Sequence, residues 1–278
     1  MTSVLLFLTM GVSAMAGPWV QKPGDGYTRA GYRYYASQEG YTEGQGTGLQ
    51  YSAHSANLYT EWGLPGRFQV IGDLPFIVAT QRAADGFGYH HQWTGDLRIQ
   101  LDWSALSDAK GTVGIEVRAP TYRRPSQYTQ GMNFPDAQVA LLEERFPALG
   151  DPCVDVTLKW MMGVSVDRAW FGASLGPRFR TNRFRHQMWG SVQGGVWAVP
   201  ERLTLGLYTE GAVVIPLGNE FLPSREWLYG QFQVALFIPN SAPGWALEAG
   251  VGGIPLARKT SRGIDATVGI SYRRQKER

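Results

Sequence analysis

Hydrophobic and polar residues alternate along much of the chain, and Gly95–Trp103 shows the pattern most clearly. Its sequence, GDLRIQLDW, places Leu97, Ile99, Leu101 and Trp103 at one parity and charged or amide side chains at the other. Because successive side chains of a β-strand point to opposite faces, the pattern predicts a strand with one apolar and one polar face. Similar alternation recurs in about twelve segments spread over the chain.

The predicted strands are about eight to eleven residues long, which is close to what a tilted strand needs to cross a membrane. Their connections alternate between short ones, such as Leu64–Arg67, and longer ones at Ala36–Gln50, Val78–Trp93, Thr121–Asp151 and Val214–Ser224. Short turns at one end and long loops at the other are typical of outer-membrane barrels. The pattern predicts an all-β fold, a closed, up-and-down, antiparallel transmembrane β-barrel of about twelve strands.

In such a barrel the apolar faces touch lipid. We therefore expect Ile99 to face lipid and Gln100 to face the lumen, so that Gln100→Arg is tolerated whereas Ile99→Arg is not. Aromatic rings near strand ends form a girdle at the lipid–water boundary. The predicted girdle residues are Trp62, Trp103, Trp160 and Tyr272.

The opposite parity carries charges of both signs, which predicts a polar lumen. These charges either line a narrow wet pore or form ion pairs that fill it, because a barrel of this size is only modestly wide. The predicted lumen-lining residues are Arg29, Arg33, Glu61, Asp73, Asp96, Arg98, Asp102, Glu116, Arg118, Asp155, Lys159, Arg178, Arg180, Glu210, Glu248 and Asp265.

Composition agrees with a β protein and excludes some other classes. The 278 residues include 35 glycines and 13% aromatic residues, which suits many strands and turns. No apolar run is long enough for a membrane-spanning helix. The formal charge of +3 is too small to indicate nucleic-acid binding. Cys153 is the only cysteine, so an intramolecular disulfide is excluded.

The N-terminus has features of a secretory signal peptide. An apolar run from Val4 to Ala14 is followed by Ala14-Met15-Ala16, the small-x-small pattern of a cleavage site. The basic residues expected before the apolar run are missing, and a buried N-terminal strand or helix is the alternative. We predict a signal peptide at residues 1–16 and a single outer-membrane barrel at residues 17–278.

Two patterns resemble hydrolase sites, and neither predicts catalysis. Ser174 lies in GASLG, but the nucleophile elbow needs a strand-to-helix turn, and the pattern here is mid-strand. Ser52 and His54 share the outward parity that a lipid hydrolase would use, yet Asn57 has the opposite parity. His54 is better interpreted as a histidine at the barrel rim.

No metal or cofactor site is predicted. His90 and His91 are adjacent, so their rings diverge in an extended chain, and we interpret them as solvated loop residues rather than metal ligands. The sequence has no phosphate-binding loop and no cysteines at metal-ligand spacing.

The longest predicted link contains a candidate helix at Asp136–Phe146. Asp136 can cap it, and Val139, Leu142 and Phe146 recur at helical spacing. An isolated helix this short is marginal in water, so the apolar stripe must pack on something. It packs either on neighbouring outer loops or in the barrel mouth as a lid.

Several stretches resemble the family of bacterial outer-membrane barrels named for the meta-pathway of phenol degradation, and its transporter-like relatives. The similar stretches are GPWVQKPGDGY (Gly17–Tyr27), LYTEWGLPGRFQV (Leu58–Val70), GDLPF (Gly72–Phe76), GDLRIQLDW (Gly95–Trp103) and VGISYRR (Val268–Arg274). Arg274 stands where that family has an aromatic residue, and Tyr272 is the candidate substitute. The resemblance implies transport of small molecules, including hydrophobic ones.

Taken together, the sequence predicts a channel or transporter-like barrel in the bacterial outer membrane, with both termini in the periplasm. The expected partners are outer-membrane lipid, the barrel-assembly machinery and a small-molecule solute, but not nucleic acid. The first alternative is a closed barrel whose outer loops bind or scaffold something. An outer-membrane lipid hydrolase is a distant second alternative, and we predict no enzymatic activity.

Overall fold

The computed structural model of the chain describes most of the residues after residue 18. The described residues are 19–39, 41–42, 45–46, 50–82, 88–105, 111–122, 153–182, 184–215, 226–238, 244–258 and 262–275. Within these ranges no helix is long and apolar enough to cross a membrane. The candidate cleavage site and the candidate helix at Asp136–Phe146 both lie outside the described residues.

The described residues form strands connected by turns and irregular segments. The strands are β1 (Gly26–Glu39), β2 (Tyr41–Thr42), β3 (Gln45–Gly46), β4 (Gln50–Leu64), β5 (Phe68–Arg82), β6 (Gly88–Thr94), β7 (Asp96–Ser104), β8 (Gly111–Pro120), β9 (Asp155–Val166), β10 (Ala169–Arg180), β11 (Gln187–Val199), β12 (Leu203–Val214), β13 (Glu226–Phe237), β14 (Trp245–Arg258) and β15 (Arg262–Arg274).

These strands close into a barrel, as the sequence predicts. Every neighbouring pair is antiparallel, and β1 pairs with β15 on one side and with β4 on the other, which joins the first strand to the last. β6 and β7 both pair with β5 and together act as one barrel strand, while β2 and β3 form a separate hairpin. The predicted barrel of twelve strands is therefore confirmed. Closure leaves no open sheet edge between β1 and β15.

A β-bulge at Gly95 separates β6 from β7. Thr94 pairs with Phe76 and Arg98 pairs with Asp73, so three residues on one strand oppose two on β5. The extra residue shifts the parity, and as a result both His91 and Arg98 point to the barrel interior although they are seven positions apart. Pro75, which has no N–H to donate, lies opposite this bulge.

Several strands are longer than predicted. β4 and β5 each contain 15 residues. β5 reaches Arg82 and β6 starts at Gly88, so the predicted link Val78–Trp93 is mostly strand and the interpretation of His90 and His91 as loop residues is wrong. Apolar alternation reveals only the part of a strand that has an apolar face, whereas backbone pairing continues beyond it.

We call the two ends of the barrel the turn end and the loop end. The turn end carries the short connections Pro65–Arg67, Asp167–Arg168 and Pro200–Arg202. At the first of these, Gly66 and Arg67 both have positive φ values, of 78° and 65°. The first and last described residues are at the same end, since the segment before β1 hydrogen-bonds to Gly63 at the end of β4.

Candidate functional site

The barrel has a polar interior and an apolar outer surface. Gln100 is 1% exposed, whereas its neighbour Ile99 is 50% exposed on the outer face. Cross-strand pairing places all sixteen residues of the predicted lumen set at inward-facing positions: Arg29, Arg33, Glu61, Asp73, Asp96, Arg98, Asp102, Glu116, Arg118, Asp155, Lys159, Arg178, Arg180, Glu210, Glu248 and Asp265. The interior of the barrel is thus the candidate path for a solute.

Charges on β8, β9 and β10 form a dense buried network. Lys159 Nζ lies 2.6 Å from Glu116 Oε2, and both side chains are about 5% exposed or less. Asp155 pairs with Arg118 from β8 and with Arg180 Nε from β10, the latter at 3.0 Å. We call these five residues the paired wall. Buried charges are tolerated here because each has an opposite charge in contact.

Gln100 is part of this network, which revises the expectation that Gln100→Arg is tolerated. Its Oε1 accepts a hydrogen bond from Lys159 at 2.7 Å, and its Nε2 donates to Asp102 at 2.8 Å. An arginine at this position would lose the acceptor for Lys159 and add a cation beside it. The parity of Gln100 in the strand predicts that it faces the interior, but it does not predict which side chains pack around it.

A second group of interior contacts joins β4, β5 and β7. Arg98 lies 3.0 Å from Asp73, and its guanidinium stands over the ring of Tyr59 at 5.9 Å from the centroid. Tyr59 donates a hydrogen bond to Glu61 at 2.7 Å, and Glu61 also accepts one from Gln21. The segment before β1 is therefore tied to the interior at the turn end.

A third group joins β1 to β13, β14 and β15. Arg29 Nε lies 2.8 Å from Glu248, which also accepts a hydrogen bond from the Tyr27 hydroxyl at 2.6 Å. Arg33 pairs with Asp265, and the Tyr229 hydroxyl donates to the same carboxylate at 3.2 Å. These contacts cross the seam where the last strand meets the first.

Glu210 and Arg178 are among the inward charges that have no oppositely charged group within 4 Å in the described part of the chain. Glu210 accepts a hydrogen bond from Tyr208, and Arg178 donates a long one to Thr157. Glu210 on β12 interacts electrostatically with Arg178 on β10, and also with Arg33 on β1 and Arg98 on β7, which are far from β12 in the strand order. Its charge therefore acts across the lumen rather than within one wall.

The predicted lumen set leaves out a group of aromatic residues in the interior, where buried rings accompany the charges. The missed residues are Tyr27, Tyr59, Trp170, Trp189, Tyr208 and Tyr229. Lys159 Nζ lies 4.5 Å from the centre of the Trp189 ring, and Arg33 lies 5.1 Å from that of Tyr229. The available signal was their shared parity with the charged residues.

A cavity lies inside the turn-end half of the barrel, against β12 to β15 and β1. Its polar lining side chains are Arg29, Thr204, Gln233, Glu248 and Thr267, and the other lining residues are Gly206, Val234, Ala235 and Ala249. Small residues on these strands leave room that long side chains fill elsewhere in the interior.

The predicted girdle residues occupy the outer surface of the barrel. Trp62, Trp103 and Trp160 are all exposed there, Trp160 at 65%. Tyr272 is half-buried and its ring centre lies 4.8 Å from that of Trp245. Two further aromatic residues at the turn end, Trp197 and Phe237, face the interior instead and contact each other at 5.2 Å.

The two hydrolase-like patterns are not assembled into catalytic sites. Ser174 is buried mid-strand in β10. Ser52 and His54 face outward on β4 while Asn57 faces inward, and the His54 Nδ1 atom hydrogen-bonds to Tyr32. Among the described residues, no group of three or more His, Cys, Asp or Glu residues has the arrangement of a metal site.

Comparison with known proteins identifies similar folds only. No protein-family profile matches the chain, and no characterised protein matches it significantly in sequence. The COG4313 outer membrane channel from Pseudomonas putida F1 superposes with a TM-score of 0.63 at 11% identity, covering 95% of this chain and 100% of that one. The KdgM porin gives a TM-score of 0.49 at 9% identity, covering 88% and 98%. This chain thus has the barrel fold of an outer-membrane channel.

Proposed function

We propose that the protein is an outer-membrane channel through which small solutes cross. The observation that carries the proposal is the reversal of ordinary protein polarity, with large apolar side chains exposed outside and charged residues and a cavity inside. A sheet with an apolar exterior is stable where hydrocarbon replaces water, and its closure satisfies every backbone group. The name of the similar barrel from Pseudomonas putida F1 supports the same function.

Within this proposal both termini lie in the periplasm, at the turn end, and the loop end faces outward. Residues 1–16 serve as the signal peptide, and residues 17–278 form a single barrel that the barrel-assembly machinery inserts. The aromatic residues Trp62, Trp103, Trp160 and Tyr272 mark the inner lipid boundary. Sequencing the N-terminus of outer-membrane material tests the first part, with Gly17 expected at position one; an intact Met1 would refute it.

The sequence and the structure support only a broad class of solute. The sequence resemblance to the meta-pathway family supports small molecules, including hydrophobic ones, and membership of that narrower family is part of this proposal. Glu210 interacts electrostatically with Arg98 and with Arg178, so a solute that passes these residues meets charges of both signs.

Single-channel recording tests the main proposal. Purified protein refolded into a planar lipid bilayer is expected to give discrete current steps in KCl. A heat-modifiable shift in gel mobility, typical of folded barrels, shows in parallel that the sample is folded. A folded sample that gives no current steps would refute the channel function.

The paired wall favours a second candidate, a closed barrel whose outer loops bind or scaffold a partner. Lys159, Glu116, Asp155 and Arg180 are each at most 6% exposed, so this half of the interior is filled. The same recording separates the two candidates, because a closed barrel folds but does not conduct. A lipid hydrolase receives no support from the positions of Ser52, His54 and Asn57.

A further inference from the structure

We propose that Arg29 and Glu248 form a charge-selectivity site at the turn end of a path that carries ions and small hydrophilic solutes. The inference rests on the proposed channel function and deepens it. It assigns the path to one side of the interior and assigns the selectivity to one ion pair that touches the cavity.

The position of the cavity gives the path. Gly206, Gln233, Gly250 and Thr267 are consecutive cross-strand partners on β12 to β15, and three of these four line the cavity. At Gly206 an added Cβ would make only ordinary contacts, the nearest at 3.5 Å, so this position is not crowded. Water therefore has room on this side of the interior, next to Arg29 and Glu248.

The lining decides which solutes fit. Hydroxyl and amide groups come from Thr204, Gln233 and Thr267, and the one ion pair supplies full charges. The hydrophobic lining residues are small aliphatic ones, and none of the described residues that line the cavity is aromatic. Such a surface replaces the hydration shell of a polar solute but gives little apolar contact to a hydrophobic one.

The ion pair of Arg29 and Glu248 is held in place and still reaches water. The Arg29 guanidinium lies against Gly269, where an added Cβ would be 2.9 Å from Nε. Tyr27 fixes the carboxylate from the other side. The two side chains are 16% and 15% exposed, compared with 4% and 5% for Lys159 and Glu116. A charge at this site is therefore felt by a passing ion.

Neighbouring charges also act at this end of the barrel. Glu61 on β4 is buried there and Arg273 on β15 is half-buried, and Arg273 interacts electrostatically with Glu248. The charges of Arg273 and Glu61 are the same in every variant of the experiment below, because neither residue is changed. Removing one partner of the ion pair then leaves one uncompensated charge beside the path.

The test measures the reversal potential across a bilayer under a KCl gradient. Arg29→Gln leaves the Glu248 carboxylate and is expected to shift the permeability ratio toward cations. Glu248→Gln leaves the guanidinium and is expected to shift it toward anions. The double exchange Arg29→Glu with Glu248→Arg restores the pair in reversed order and is expected to return the ratio close to that of the wild type.

Arg202→Gln and Glu201→Gln are the matched controls, since both residues are exposed in a turn at the same end and carry the same charges. They are expected to leave the ratio unchanged. Opposite shifts in the two single variants support the site. Conducting variants with an unchanged ratio, or with shifts in the same direction, overturn this inference alone. A folded wild type without conductance overturns the proposed channel and this inference together.

Discussion

The glycines of the paired wall and the glycine beside the cavity differ in how closely they are surrounded. On the paired wall, an added Cβ at Gly114 would lie 2.2 Å from Asp102 Oδ1, and at Gly176 it would lie 1.6 Å from the Leu158 carbonyl. Neighbouring atoms already occupy the space. At Gly206 on β12, an added Cβ would make only ordinary contacts, the nearest at 3.5 Å, and the cavity adjoins this position. The number of glycines therefore does not decide whether a lumen is open; the length of the neighbouring side chains does.

The charged residues of the paired wall and those beside the cavity also differ. The carboxylate of Asp155 is held by cations from β8 and β10 and is 1% exposed, so it depends on its partners rather than on water. The carboxylate of Glu248 lies 2.8 Å from Arg29 Nε and keeps contact with water. The ion pairs of the paired wall fill the interior, whereas the ion pair of Arg29 and Glu248 lies beside the cavity. Three predictions test this difference, beginning with the largest expected effect.

Removing the central carboxylate of the paired wall should have the largest effect. Asp155→Ala leaves the buried Arg180 and the partly exposed Arg118 without their shared partner. Removing one member of a buried ion pair typically costs about 3–5 kcal/mol. We expect the free energy of unfolding, measured by urea titration in liposomes, to fall by this amount.

Asp73→Ala is the matched control, because it deletes the same chemical group from a pair with one cation and 22% exposure. Its loss should be clearly smaller, since water reaches the remaining charge. Equal losses for the two variants would mean that the paired wall is no more dependent on its ion pairs than the rest of the interior.

The next prediction compares the outer surface with the interior. Ile99→Arg places a cation on the lipid face and should reduce stability in liposomes by about 2–4 kcal/mol, because arginine is costly at the bilayer midplane. Ser191→Arg places it at a half-buried interior position opposite Glu210, where a carboxylate is available. Ser191→Arg should fold with nearly unchanged stability. If both variants fold equally well, the assignment of the two faces fails.

Much of this architecture could be predicted from the sequence, because alternate residues of a strand face opposite environments. The alternation of polar and apolar residues therefore shows which side chains face the interior and which face lipid. The inward charges, such as Arg98 and Lys159, and the outward aliphatic residues, such as Ile99, were identified by parity alone. The polar interior was predictable for this reason, but its pairings were not. Whether Asp155 contacts Arg118 or Arg180 depends on strand register, which no single strand contains.

The features that sequence analysis missed have physical reasons. The bulge at Gly95 adds one residue and reverses the parity, so His91 and Arg98 share a face that strict alternation forbids. Interior rings such as Tyr59 and Trp170 have the residue type expected at the lipid boundary, although their parity is polar. The cavity depends on which side chains reach into the middle, a property of several strands at once.

The last prediction compares two glycines that are direct cross-strand partners, Gly195 on β11 and Gly206 on β12. The Trp170 ring lies over Gly195, where an added Cβ would be 2.1 Å from Cζ2 and 2.6 Å from the Leu205 carbonyl. Gly195→Ala must therefore displace the ring, and overpacking of this kind costs about 1–3 kcal/mol.

At Gly206 the same added carbon would make only ordinary contacts, at 3.5 Å to the Gly194 carbonyl and 3.8 Å to the Trp170 ring. Gly206→Ala should change stability by less than about 1 kcal/mol, and a small gain is expected because the unfolded chain loses freedom. Urea titrations followed by tryptophan fluorescence measure both variants under identical conditions. Equal stabilities would mean that the ring does not cover Gly195. A loss at Gly206 as large as that at Gly195 would mean that the space beside the cavity is already filled, and the division of the interior into a packed side and an open side would not hold.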